Sequence, residues 1–109
     1  PGRVPSDRVC DEFLTTLEIL PTLARLAGCE LPRELKLDGF DMTPVLLGEA
    51  GAHSPRTSLY SLYGGARSQN RKESLREGRW KLHLGTQPSL FDLSADLAEQ
   101  DDIAGRQPE

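Results

Sequence analysis

Two histidines, two cysteines and a scatter of serines and acidic residues are the groups in this chain that could act as nucleophiles, bases or metal ligands. Cys10 and Cys29 do not form a C-x-x-C pair, and no His lies at metal-ligand spacing from either. Thiols so placed read as small buried hydrophobes, with a single bridge between them left open. His53 stands beside Ser54-Pro55 in a polar stretch, and His83 falls on the polar side of an alternating run. Neither has a Ser and Asp partnership of the triad kind, so both read as surface histidines. Ser58, Ser61 and Ser74 lie in or beside predicted strands, not on a nucleophile elbow. Asp38 with Asp41, and Asp101 with Asp102, are the close acidic pairs. A hard cation needs several oxygens converging from separate loops. Turn and cap roles explain the first pair, and a solvated tail the second. The expected set of catalytic and metal-binding residues in this chain is therefore empty. The densest basic cluster is Arg67, Arg71 and Lys72, followed directly by Glu73, and taken alone it reads as a solvated loop.

The elements that would carry these groups change type near the middle of the chain. Residues 1–7 are rich in turn formers and read as an irregular lead-in. Phe13, Leu14, Leu17, Leu20, Leu23, Ala24 and Ala27 recur at three- and four-residue steps, the spacing of one helix face. Pro21 interrupts that face and fits only a first helical turn, where its missing N–H would be unpaired anyway. The pattern thus predicts a short helical segment near Asp11 to Leu17 and a helix from Ile19 to Ala27, stopped by Gly28. Asp38-Gly39 reads as a turn pair, and Asp41-Met42-Thr43-Pro44 opens a short helix through Leu47, with Asp41 or Thr43 as its cap.

From Thr57 the period becomes that of strands. Leu59, Tyr60, Leu62 and Tyr63 suit one strand, with the tyrosines as packing residues. Glu73 to Arg76 and Arg79 to Leu84 flank Glu77-Gly78 as a β-hairpin. In its second arm Trp80, Leu82 and Leu84 form the face expected to be buried, and Arg79, Lys81 and His83 the wet one. Leu90 to Leu93 is a further short strand, and residues 96–109 read as an acidic, irregular tail. Helices first and three or four antiparallel strands second make the fold class α+β. The expected division is residues 1–56, helical, and residues 57–109, a small antiparallel-sheet subdomain with its tail.

Composition sets the bounds. A chain of 109 residues is one small domain at most, and 37% hydrophobic with 6% aromatic residues is lean for a self-sufficient core. A net charge of −4 argues against nucleic acid or an anionic membrane as partner. No apolar run approaches the ~18 residues a membrane span needs, and the first residues lack the hydrophobic centre of a signal peptide.

The order of short motifs adds what periodicity cannot. Leu17-Glu18-Ile19-Leu20-Pro21-Thr22-Leu23 with Leu26-Ala27-Gly28 resembles the "DLLPTLxxLAG" helix of the sulfatases, within the alkaline-phosphatase-like superfamily. Leu37-Asp38-Gly39-Phe40-Asp41 with Pro44 and Leu46-Leu47-Gly48 resembles "LDGxDLxPLLxG", and Leu75 to Leu82 resembles "VRxGRWKL". Leu90-Phe91-Asp92-Leu93 with Asp96, Ala104, Pro108 and Glu109 resembles the family's "LYDLxxDPxExxNxAxxxPE". Glu18, Leu97 and Asp101-Asp102-Ile103 depart from the pattern at caps and turns.

The resemblance implies a sulfatase C-terminal portion. Sulfatases hydrolyse sulfate esters through a formylglycine, made from the first residue of C/S-x-P/A-x-R, with a divalent cation, usually calcium, held by Asp and Asn. Neither cysteine here fits: Glu12 and Leu31 stand where the motif needs Pro or Ala after Cys10 and Cys29. This chain would then carry no cofactor of its own. Its partners would be a missing N-terminal sulfatase domain and, in the parent, an anionic sulfated substrate. The resemblance also places the loop from Gly64 to Lys72 toward an active-site mouth, where Arg67, Asn70, Arg71 and Lys72 could meet sulfate oxygens. Other readings are a stand-alone interaction or assembly module, self-associating through its uncovered apolar helix face, and a fragment of a related phosphate or phosphonate ester hydrolase. The compartment stays open, the resemblance leaning to periplasmic or secreted.

Overall fold

The computed structural model describes residues 2–64 and 71–107. It divides into two compact units, residues 1–56 and residues 57–109. The first is helical and the second is an antiparallel sheet, so the fold is α+β.

In the first unit a 3-10 turn, Thr16–Glu18, leads into helix α1, Ile19–Leu26. The helix does not begin earlier. Thr15 is extended (φ −136°, ψ 176°) and forms a capping box with Glu18. The Thr15 hydroxyl accepts from the Leu17 N–H at 3.2 Å, and the Glu18 carboxylate accepts from the Thr15 N–H at 2.6 Å. Both bonds satisfy N–H groups that a helix start leaves open. The expected helical segment at Asp11 to Leu17 is therefore corrected: residues 11–15 are not helical. Ser54 donates from its hydroxyl to the Phe13 carbonyl at 2.6 Å and from its N–H to Glu12 at 2.6 Å, which uses the local chain for tertiary bonds instead.

Pro21 sits in the first turn of α1, and Gly28 at φ 71° closes it, with the Cys29 N–H bonded to the Ala24 carbonyl. Helix α2 is the single turn Thr43–Leu46, and Asp41 accepts the Thr43 N–H at 2.9 Å. Thr22 joins α1 to the approach to α2. Its hydroxyl accepts the buried Met42 N–H at 2.9 Å, and Met42 is the deepest apolar side chain described, 1% exposed. Gly39 serves packing more than turning. A Cβ there would lie 1.8 Å from the Leu17 carbonyl oxygen. Both cysteines are free and exposed, against the expected burial, Cys10 in the irregular lead-in and Cys29 just past the helix stop.

The second unit is a four-stranded sheet in the order β1 (Ser58–Tyr63), β2 (Lys72–Glu77), β3 (Trp80–Leu84), β4 (Ser89–Asp92), antiparallel throughout. Gly78 turns the central hairpin at φ 54°. Register places Tyr60, Leu62, Leu75, Trp80, Leu82, Leu84 and Leu90 on one face. Tyr60, Leu62, Leu75 and Leu84 remain exposed there. The opposite face holds Lys81, His83 and Phe91, and Phe91 is buried. The expected wet face is therefore half-covered, because the segment after β4 folds back on the sheet. Ile103 donates its N–H to the Leu90 carbonyl at 2.9 Å, and Asp102 accepts the Leu90 N–H at 3.0 Å. A short 3-10 turn, Ala104–Arg106, follows. The tail is thus a bonded strap and not a free acidic end.

Candidate functional site

The rim residues expected from the sequence fall at the start of β2. Arg67 and Asn70 lie outside the described residues. Arg71 and Lys72 are described, and the strand separates them. Lys72 pairs in register with Tyr63, and the next residue, Glu73, pairs with Leu62 on the opposite face. Arg71 joins Glu73 in an ion pair through its Nε, with the arginine side chain 41% exposed and the glutamate 22%.

A third residue completes this cluster. The Tyr60 hydroxyl donates to Glu73 Oε2, while Arg71 holds Oε1. Glu73 thus stands between Tyr60 and Arg71, one carboxylate oxygen to each. The Tyr60 hydrogen bond first, and then Arg71, hold the Glu73 carboxyl below its ordinary range. The same Glu73 bond raises the Tyr60 phenol and the Arg71 guanidinium above theirs. Tyr60 was expected only to pack. The signal that finds its polar role is register: Tyr60 opposes Leu75, one diagonal from Glu73, within reach of a long side chain.

Two other polar clusters involve the histidines. Glu99 accepts from Lys81 and meets His83 Nε2 at 2.6 Å, while the His83 ring stands edge-on to Phe91 at 5.6 Å. The Lys81 hydrogen bond is the main cause holding the Glu99 carboxyl low, with His83 adding to it against partial burial. Glu99 adopts φ 56°, a left-handed conformation uncommon outside glycine. His83 is therefore partly covered and partnered, not a free surface imidazole. His53, 78% exposed, pairs with Glu12 at 2.9 Å. These contacts tie a loop to a sheet and a loop to a loop. Ser54 also bonds Glu12 through its N–H, but its hydroxyl donates to the Phe13 carbonyl and not to His53.

Among the described residues the most buried ion pair is Glu18 with Arg56, whose side chains are 3% and 8% exposed. Arg56 also donates to the Asp38 carbonyl at 2.7 Å and lies over the Phe40 ring at 5.1 Å. Burial by itself would raise the Glu18 carboxyl, but the bonds from Arg56 and Thr15 outweigh it and hold the group at about 2. Glu18 is bonded to the Thr15 N–H, the Thr15 hydroxyl and Arg56, all groups of the fold, which makes the pair a structural bolt.

Among the described residues no group of three or more His, Cys, Asp or Glu could hold a metal ion. Both cysteines sit in the wrong sequence context for C/S-x-P/A-x-R. No helix of the described residues is long and apolar enough to cross a membrane.

Fold and sequence together define a class: the chain corresponds to the C-terminal portion of sulfatases. It is 40% identical to human arylsulfatase A over 99 residues, which is 90% of this chain and 19% of that protein. It is 29% identical to rat arylsulfatase G over an alignment covering all of this chain and 24% of that protein. A solved 2-O GAG sulfatase matches at TM-score 0.71 and 28% identity, over 93% of this chain and 22% of that one. The structure of Ps i-CgsB in complex with k-i-k-neocarrahexaose matches at TM-score 0.80 over 99% of this chain and 24% of that one, and at 24% identity it speaks for the fold alone. No protein-family model matches the chain. The chain spans about a fifth of the length of the curated relatives it matches.

Proposed function

We propose that this chain serves a sulfatase, a hydrolase of sulfate esters, as its C-terminal supporting portion. The observation that carries the reading is joint agreement along the chain: 40% identity over 90% of it to an arylsulfatase, on a fold that solved sulfatases share. In this reading the catalytic centre, with its formylglycine and calcium, lies in a large α/β domain elsewhere in the parent, and the chain alone is inactive. Residues 1–56 pack on that domain. The support is α1, where Ile19, Leu20 and Leu23 are each more than half exposed although apolar. Burying such side chains against a neighbour is worth about 1.5–3 kcal/mol apiece.

The sheet unit then shapes the substrate pocket. Arg71 is its rim cation, with Lys72 on the other face of the strand, and Arg71 suits a sulfate because a guanidinium offers planar, paired N–H donors to an oxyanion. Sequencing the encoding reading frame upstream of residue 1 tests the reading. A C/S-x-P/A-x-R motif with Asp and Asn metal ligands supports it. A frame without them overturns it in favour of an interaction module.

A further inference from the structure

The rim reading gives Arg71 a task without saying what aims it. A guanidinium on a flexible stem loses rotamer freedom when it grips a ligand, so an arginine already held in place binds better. Two neighbours hold this one. Glu73 takes the Nε side through Oε1, and its Oε2 receives the Tyr60 hydroxyl. Tyr60 thereby fixes the carboxylate that holds Arg71. Tyr60 and Glu73 both stand on the regular backbone of β1 and β2, on the same face by register. Arg71, just before β2, is thereby tied to the sheet. A guanidinium carries five N–H donors, and one carboxylate contact through Nε does not use them up.

We propose that Tyr60 and Glu73 are positioning residues, acting on substrate affinity only through Arg71. The proposal rests on the rim reading above. Glu73 also offsets the charge of Arg71, so the cluster offers an incoming sulfate directed hydrogen bonds more than net attraction.

A double-mutant cycle in the whole enzyme, with p-nitrophenyl sulfate as the probe, separates the two claims. Arg71→Ala is expected to raise KM about tenfold with kcat nearly unchanged, the size of one charge-assisted contact. Tyr60→Phe and Glu73→Ala are each expected to raise KM about threefold in the wild-type background, as fractional losses of that contact. Neither should raise it further in the Arg71→Ala background. Equal increases in both backgrounds would show a general structural role and overturn the proposal, as would no increase from either variant while Arg71→Ala raises KM. If Arg71→Ala itself leaves KM unchanged, the rim reading has failed, and the positioning proposal falls with it.

Discussion

Glu18 and Arg56 show how a residue's neighbours decide its meaning. In sequence Glu18 is a departure from the family's Asp at the start of a helix. In the structure it caps Thr15 and meets a buried guanidinium. Arg56→Met would strand Glu18 as a buried, unpaired charge and destabilise the chain by about 3–5 kcal/mol, read from urea unfolding. The pair also fixes a pH dependence. The Glu18 carboxyl is at about 2 when folded, against an ordinary 4.5. The lowered value means that its contribution, on the order of 3 kcal/mol, is fully present above about pH 4.5 and is lost as pH falls toward 2. Glu18→Gln should flatten that part of the stability profile. An unchanged acid limb in the variant would refute the assignment. None of this was legible in the sequence, because Arg56 is 38 residues from Glu18 and no periodicity links them.

At the scale of elements, the strands and the second part of the helical pattern were legible because period and stop signals agree there. Alternation gave β3, strand-forming residues and the Glu77-Gly78 turn gave the other strands, and Pro21 with Gly28 bounded α1. The segment at 11–15 was not legible, since the same apolar spacing continues through it while the capping box at Thr15 halts the helix. The two glycines of the "LDG" and "REGRW" stretches look alike in sequence and differ physically. Gly78 needs a positive φ in open space, so Gly78→Ala should cost about 1–2 kcal/mol. At Gly39 a methyl would collide with the Leu17 backbone. Gly39→Ala should therefore cost more, about 3 kcal/mol, as overpacking against an unyielding group. Urea midpoints of the two variants should fall in that order, and the reverse order would show that the approach of residue 39 to Leu17 is not tight.

For the whole molecule, family resemblance was legible from motif order, while the site was legible only in part. The sequence offered Arg67, Asn70, Arg71 and Lys72 as one rim, but strand alternation puts Lys72 on the face away from Glu73, and Tyr60 was missed because its polar contact depends on pairing. A thin core also has a consequence. With Leu20 and Leu23 of α1 exposed, the chain by itself should self-associate, and Leu20→Lys with Leu23→Lys should return it to a monomer in light scattering. A wild-type monomer with one sharp unfolding transition would count against that surface as a docking face. The most direct measurement of the central claim is hydrolysis of p-nitrophenyl sulfate by the product of the complete reading frame, with the 109-residue chain assayed beside it. The account predicts turnover by the complete product and none by the chain. No turnover by the complete product, or turnover by the chain alone, would contradict it.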